Sequence, residues 1–299
     1  MIAEDLFTNA AGHIGLPISE LALVLVADDS RYAEAIQRVQ PGGGFTDHPS
    51  GYRGMGKTGT ILESGGTYKS AVVIHLNALG GALTPIFATV DMTRDSTFEQ
   101  NCTYLVYHEL GHCLDNLSRP DRPSPPAVRE GRGFEISQFE RYHAHLVEEE
   151  YAASHFAVHW MTPQVYRDLF GLLCKQLESG RAEAHKLKLE YAENPDVLTR
   201  LASSVAGWCW SLLIQFAKLA ASRSDNNALL NASPIWPEED DDIVVQLLRE
   251  FDQELARHWA EYPTWTSEPP RFMPETWQTL ASFEGFRFIE DERGSAVFW

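Results

Sequence analysis

The stretch YLVYHELGHCLDNL, Tyr104–Leu117, decides the fold that we expect for this chain. It carries the motif H-E-x-x-H at His108, Glu109 and His112. An α-helix turns about 100° per residue, so side chains four positions apart share one face and lie roughly 6 Å apart along the axis. Two neutral imidazoles on one face can supply two protein ligands of an open Zn²⁺ site and leave a position for water. The motif therefore predicts a zinc helix with His108 and His112 as metal ligands.

Glu109 follows the first histidine and is the predicted catalytic residue. Zinc lowers the pKa of a bound water towards about 7, and a carboxylate beside that water can accept its proton. The same carboxylate can then pass the proton to a leaving amine. The alternative is a helix with two surface histidines and a solvated glutamate.

The position of the third protein ligand distinguishes the classes of zinc peptidase. One class places a glycine three residues after the second histidine and a ligand six residues after it, but this chain has Asp115 and Ser118 there. Asp115 shares the face of the two histidines, yet three ligands on one straight helix clamp a metal poorly. We therefore expect Asp115 to be a supporting acceptor or a helix cap. A carboxylate from another helix remains as the candidate.

The helical run Glu135–Met161 supplies this carboxylate. It contains three consecutive glutamates, Glu148, Glu149 and Glu150. Ala153 and Ala157 lie on the face of Glu150, where small residues let two helices pack closely. Ser154 is placed to hold the Glu150 carboxylate by a hydrogen bond. We predict that Glu150 is the third metal ligand and that the other two glutamates are solvated.

The two motifs together resemble the gluzincin class of zincin metallopeptidases. The second motif, E-x-x-A-x-x-F-A from Glu150 to Ala157, is similar in particular to a small bacterial and phage family that includes repressor-cleaving peptidases. The resemblance covers about residues 70–163. It implies an α+β fold with a zincin-like core, in which the active-site helix packs on a twisted sheet. It also implies two histidines and one glutamate on Zn²⁺, and hydrolysis of a protein or peptide substrate.

A second motif lies upstream, where Gly51–Thr58 matches the phosphate-loop pattern G-x-x-x-x-G-K-T. A phosphate loop needs a buried strand before it and a helix that begins at its lysine, here Lys57. Pro49 stands where the strand should end, and Gly59 would weaken the helix. We therefore expect a glycine-rich loop or hairpin over Pro41–Gly66. A nucleotide-binding protein is the less favoured alternative.

Three apolar runs before the zinc helix are typical of strands. Leu21–Ala27 is followed by helical periodicity over Asp28–Gln40, and Tyr68–Asn77 and Pro85–Asp91 come later. An edge strand next to a zinc helix can bind an extended peptide through main-chain hydrogen bonds. For Tyr68–Asn77 a plain core strand is the alternative. The proline-rich segment 118–133 is predicted to be a loop, either a flap beside the cleft or an exposed connection.

The rest of the chain has helical patterns without a further metal or nucleophile motif. The predicted helices are Pro163–Glu178, Arg181–Glu193, Pro195–Ser222 and Asp242–Tyr262. Leu201–Ala217 lacks charges but is short and contains polar residues, so we expect a buried helix and not a membrane span. We predict a catalytic zincin-like domain at 1–165 and a helical region at 166–299 that packs on it. The aromatic tail is expected to pack on the catalytic core or to bind a partner.

Composition restricts the class of partner. The chain has 299 residues, 44% apolar composition and a formal net charge of −18, which disfavours nucleic acid because phosphate binding needs clustered Lys and Arg. Its four cysteines form no C-x-x-C pair and suggest a reducing compartment. The N-terminus has neither a basic segment nor a long apolar core, so we expect no signal peptide and a cytoplasmic protein.

These features lead to one preferred function. We expect a zinc-dependent metallopeptidase that uses Glu109 as its general base and takes a protein or peptide as substrate. The alternative from another class is a zincin-shaped binding or scaffold protein without turnover.

Overall fold

The computed structural model describes residues 2–39, 55–62, 68–87, 97–119, 136–225, 242–266, 268–291 and 294–298. These residues form many helices, a three-stranded sheet and a two-stranded hairpin, so the α+β class is correct at this level. The chain divides into two compact units. The first comprises Met1–Pro120, Ala152–Asp168 and Ala221–Ala232, and the second comprises Asp121–Tyr151, Leu169–Ala220 and Ser233–Trp299. The units are interleaved along the sequence, whereas we predicted consecutive regions 1–165 and 166–299.

The elements are numbered in chain order. The helices are α1 Ile2–Ile14, α2 Tyr32–Val39, α3 Leu76–Phe87, α4 Thr97–Ser118, α5 Ile136–Phe156, α6 Pro163–Glu193, α7 Leu198–Asp225, α8 Ile243–Trp259 and α9 Phe272–Phe283. The strands are β1 Leu21–Ala27, β2 Gly56–Leu62, β3 Tyr68–His75, β4 Arg287–Asp291 and β5 Gly294–Phe298. Helix α5 is continuous, and its last residues, from Ala152 onward, belong to the first unit.

The sheet of the first unit has the order β1-β3-β2, with β3 parallel to β1 and antiparallel to β2. The middle of β3 is completely buried, because successive side chains point to opposite faces and both faces are covered. Ala71 and Val73 pack with α2 on one face, and α4 packs against β2 and β3. The predicted strand Tyr68–Asn77 is therefore a core strand over Tyr68–His75, whereas Leu76 and Asn77 begin helix α3. Among the described strands, β2 is the edge strand of this sheet that contacts helix α4.

Two of the strands predicted before helix α4 have different outcomes. Leu21–Ala27 is a strand with the predicted bounds. The predicted strand Pro85–Asp91 is wrong over its first three residues, because Pro85–Phe87 completes helix α3, and residues 88–91 lie outside the described part of the chain. A short apolar run without alternation fits a buried helical segment as well as a strand. The loop predicted at 118–133 lies outside the described residues after Arg119.

The helices predicted after Met161 are present, but their bounds differ: the first two form the single helix α6, the third is α7 Leu198–Asp225, and the fourth is α8 Ile243–Trp259. Helix α6 continues through Ser179 and Gly180, where we predicted a break. A glycine inside a helix costs only about 1 kcal/mol, and packing here outweighs that cost. The Trp208 indole lies over this stretch and its Nε1 donates to the Gln176 carbonyl at 2.9 Å.

The aromatic tail forms part of the core of the second unit. Trp277 is fully buried in α9 and stacks on Trp210 of α7, with ring centroids 5.6 Å apart. Its Nε1 donates to the Ala206 carbonyl at 3.1 Å. The predicted buried helix Leu201–Ala217 lies within α7. In the part of the chain that the structure describes, no helix combines the length and apolar character needed to cross a membrane.

Candidate metal centre

Helix α4 places the two histidines of the motif side by side. It runs from Thr97 to Ser118 without a break, so His108 and His112 share a face as their spacing predicts. Their ring centroids are 4.8 Å apart in an edge-to-face arrangement. His108 is buried and His112 is half-buried. The pair therefore sits at the border of the protein interior, where a metal can be held and still reached.

The C-terminal part of α5 approaches α4 at a glycine. A Cβ on Gly111 would lie only 2.7 Å from the carbonyl oxygen of Ala153, so any larger residue would force the helices apart. Ala153 is itself completely buried, as expected for a small residue at a close helix contact. The close helix contact that we predicted for Ala153 is thus made with helix α4, which carries His108 and His112.

Glu150 lies one turn before Ser154 in α5 and joins the two histidines. One donor atom from each of His108, His112 and Glu150, the metal triad, lies within 4.8 Å of the other two. Among the described residues it is the only group of three such side chains that meets this criterion. Donors around a tetrahedral zinc ion at about 2.0–2.2 Å are about 3.4 Å apart. Each pair of donor atoms would need to come closer by about 1.4 Å or less to bind one metal ion. Small side-chain rotations can achieve this, so the three residues fit a metal.

His108 has hydroxyl groups on its second ring nitrogen. The Oγ of Ser154 lies 3.4 Å from His108 Nδ1, and the Tyr104 hydroxyl lies 3.5 Å from the same nitrogen. The two hydroxyls are 3.1 Å apart. Both hydroxyls thus meet Nδ1 of His108, as is usual for the second nitrogen of a histidine that binds a metal through Nε2. We expected Ser154 to hold the Glu150 carboxylate, but the Ser154 hydroxyl contacts His108 and Tyr104 instead.

Glu148 is fully buried, so our prediction that it is solvated is wrong. Its two carboxylate oxygens accept hydrogen bonds from His145 Nδ1 and His258 Nε2, each at 2.8 Å. We call these three residues the Glu148 cluster. Residues two apart on a helix point about 200° away from each other, so Glu148 and Glu150 cannot share an environment. Glu149, between them, is half-buried.

The Glu150 carboxylate has a cationic neighbour that the sequence did not reveal. Lys218 Nζ lies 3.2 Å from Glu150 Oε2, and both side chains are 20% exposed. One oxygen of this carboxylate lies within 4.8 Å of the donor atoms of both histidines, so Glu150 belongs to the metal triad as well as to the ion pair. Lys218 lies far along the chain in α7 and no local pattern links it to Glu150, so only the structure reveals the pair.

Asp115 is buried and pairs with its own helix. Its two oxygens accept hydrogen bonds from Arg119 Nε at 2.8 Å and from Arg119 Nη2 at 2.7 Å. A carboxylate that forms a bidentate pair with a guanidinium is poorly placed to ligate a metal as well. Asp115 is therefore an acceptor, as predicted, and it is not a member of the metal triad.

Glu109 is buried and contacts strand β2. The Thr58 hydroxyl lies 2.7 Å from Glu109 Oε2 and 2.9 Å from the Glu109 main-chain oxygen, so it can donate to either. The G-K-T residues of the phosphate-loop pattern belong to this strand, and Lys57 pairs with Val73 of β3. No helix begins at Lys57, so the described part of the pattern lacks the geometry of a phosphate loop. It is a strand antiparallel to β3, which agrees with the hairpin alternative of our prediction, and residues 41–54 and 63–66 lie outside the described part of the chain.

Two other titratable side chains near the motifs have different roles. Cys113 follows His112, but burial raises the pKa of its thiol to about 12, so it stays protonated and is a poor metal ligand. Burial lowers the pKa of His143, whose Nδ1 donates to the Phe139 carbonyl at 2.8 Å. We did not assign a catalytic role to either residue, and these contacts give no reason to do so.

Comparison with known proteins adds nothing to this geometry. No model of a known protein family matches the chain, and no curated protein or solved structure is detectably similar to it. The resemblance to gluzincins therefore rests on the two motifs and on the arrangement of the side chains described above.

Proposed function

We propose that this protein is a zinc-dependent metallopeptidase with a zincin-like core and that His108, His112 and Glu150 hold Zn²⁺. The observation that carries the proposal is the metal triad, because its donors come from two helices and converge, and one of them, His108, is adjacent to Glu109 in the sequence. Two histidines and one carboxylate are a ligand set of catalytic zinc sites, which keep a fourth position open. We propose Zn²⁺ because this ligand set occurs here with the H-E-x-x-H motif of zinc peptidases.

The bound metal would supply Lewis acidity, which polarises a carbonyl group and lowers the pKa of water. Glu109 accepts the proton of the attacking water and delivers it to the leaving amine. With a relative exposure of 6%, Glu109 is largely shielded from bulk water. A carboxylate in such a place acts on the reacting atoms without competition from solvent.

Strand β2 supports a peptide as the substrate class. It is the edge strand of the described sheet that lies nearer to α4, and β2 is paired on one side only, with β3. An extended peptide can add to such an edge through main-chain hydrogen bonds and pass close to Glu109. The net charge of −18 makes nucleic acid an unfavourable partner.

The four cysteines support a reducing compartment. All four are free thiols in the structure, and three of them are buried. We therefore keep the cytoplasm as the proposed location.

Metal content and peptide cleavage test the proposal together. The purified protein is reconstituted with Zn²⁺, measured by elemental analysis and incubated with a proteome-derived peptide mixture that is read by mass spectrometry. We expect about one zinc per chain, cleavage by the wild type, and a loss of at least about 100-fold in rate for Glu109→Gln with unchanged metal content. His112→Ala should lose both metal and activity.

Two results would count against the proposal. A wild-type protein that binds no zinc after reconstitution has no metal centre of this kind. Equal peptide patterns for wild type and Glu109→Gln, with zinc bound in both, would instead favour a binding or scaffold protein that holds metal without turnover.

A further inference from the structure

Strand β2 presents two residues of the unused G-K-T pattern to the proposed general base. Gly56 and Thr58 are two positions apart, so they lie on the same face of the strand, and both contact Glu109. Lys57 between them is exposed. The pattern that resembles a phosphate loop in sequence is therefore, in the structure, the wall against which Glu109 lies.

Thr58 bonds one oxygen of the Glu109 carboxylate. The hydroxyl oxygen is 2.7 Å from Oε2, a distance typical of a strong hydrogen bond from a hydroxyl to a carboxylate. A glutamate side chain has three rotatable bonds, and a general base must stay within about 3 Å of the proton that it accepts. A donor from a rigid strand restricts this freedom, because β2 is itself held by its ladder with β3.

Gly56 leaves the space that the carboxylate occupies. A Cβ at this position would lie 2.7 Å from both Cγ and Oε1 of Glu109. The atoms that it would meet belong to the flexible end of a side chain, so Glu109 would move and the strand would not. A methyl group at position 56 is thus expected to displace the carboxylate while the fold stays intact.

We propose that Thr58 is a positioning residue for Glu109 and that Gly56 provides the space in which Thr58 holds the carboxylate. This inference rests on the proposed peptidase function for its catalytic consequence, but the contact itself can be tested without turnover. Thr58 acts on the reaction only through Glu109.

The first experiment uses the peptide that the wild type cleaves best in the mixture described above. We expect Thr58→Val to lower kcat about tenfold with little change in KM or zinc content, because the base is present but no longer held. Thr58→Ser keeps the hydroxyl and should retain most of the rate. In a Glu109→Gln background, Thr58→Val should cause no further loss.

Matched control variants come from helix α1. Thr8 is exposed, so Thr8→Val removes the same hydroxyl group without contact to the site. Gly56→Ala should lower kcat without lowering the unfolding midpoint, whereas Gly12→Ala, with no neighbour within 4 Å, should leave kcat unchanged. An unchanged kcat for Thr58→Val, or an equal loss in both Glu109 and Gln backgrounds, would overturn the proposal.

The second experiment is urea unfolding of the metal-free protein in a double-mutant cycle with Glu109→Met. If Thr58 holds the carboxylate, Thr58→Val changes the unfolding equilibrium constant by some factor in the wild-type background. In the Glu109→Met background this factor should be at least threefold smaller. Equal changes in both backgrounds would mean that the hydroxyl serves other partners, such as the Glu109 main-chain oxygen or the Cys113 thiol, and the proposal fails. Should wild type and Glu109→Gln cleave equally, the peptidase function fails, and this cycle alone decides whether Thr58 holds Glu109.

Discussion

The metal triad and the Glu148 cluster contain the same kinds of residue, two histidines and one glutamate, but arrange them differently. In the triad, the donor atoms of all three side chains converge within 4.8 Å of one another. In the Glu148 cluster, each histidine bonds a different oxygen of the carboxylate at 2.8 Å. The carboxylate of the cluster is thus fully used by hydrogen bonds within the protein.

This difference shows that residue types alone do not make a metal site. Glu148 is completely buried, and a buried carboxylate needs partners that compensate for lost hydration. Glu150 keeps 20% of its side chain exposed and pairs with Lys218 at 3.2 Å. The carboxylate of Glu148 is enclosed by hydrogen bonds within the second unit, whereas an oxygen of Glu150 is one of the converging donors of the metal triad.

The largest expected difference between the two glutamates is in metal binding. Glu150→Ala removes a proposed ligand and should weaken zinc affinity by about 100-fold or more, whereas Glu148→Gln should retain about one zinc per chain. Elemental analysis after dialysis against a weak chelator measures both. Glu149→Ala, on the same turn, is the control for changes in helix α5. Retention of zinc by Glu150→Ala would remove Glu150 from the site.

The second difference is in stability and has the opposite order. Glu148→Leu leaves two histidines without their acceptor inside the protein and should cost about 3 kcal/mol or more of unfolding free energy. Glu150→Ala breaks a partly exposed ion pair and should cost about 1 kcal/mol or less. Urea unfolding of the metal-free proteins, followed by circular dichroism, compares them. A smaller loss for Glu148→Leu than for Glu150→Ala would show that the cluster does not stabilise the fold.

A smaller effect than that of Glu148→Leu is expected at Asp242, a carboxylate of the second unit that is more exposed than Glu148. It caps α8 by accepting from the Val244 amide at 2.8 Å, and hydrogen bonds from Arg181 lower its pKa below the usual value of 3.8. Because the pKa is lower in the folded state, its stabilising contribution is complete above the unfolded value and disappears as pH falls through the folded value. Asp242→Ala should cost about 1 kcal/mol at neutral pH.

Thermal unfolding at pH 7 and near pH 3 measures this effect. The gap between wild type and Asp242→Ala should narrow at the lower pH. A gap that stays constant would mean that the carboxylate charge contributes nothing there.

The parts of the site that could be predicted are those that depend on local spacing. His108, Glu109 and His112 lie on one unbroken helix, as the four-residue interval requires. Glu150 was selected from three neighbouring glutamates because small residues mark its face, and the structure brings it to the histidines. The same reasoning failed for Glu148, because the acidic run does not indicate that the distant His258 donates a hydrogen bond to its carboxylate.

The sequence by itself determined helix α4 with its two histidines on one face, strand β1 and the helical character of the C-terminal half, because hydrophobic periodicity and residue spacing act over a few residues. Only the tertiary structure decided that Thr58 meets Glu109, that Lys218 pairs with Glu150, and that the G-K-T pattern is a strand. The two side-chain contacts, Thr58 with Glu109 and Lys218 with Glu150, join residues that are 51 and 68 positions apart. They arise from the packing of whole elements, so no local pattern could reveal them.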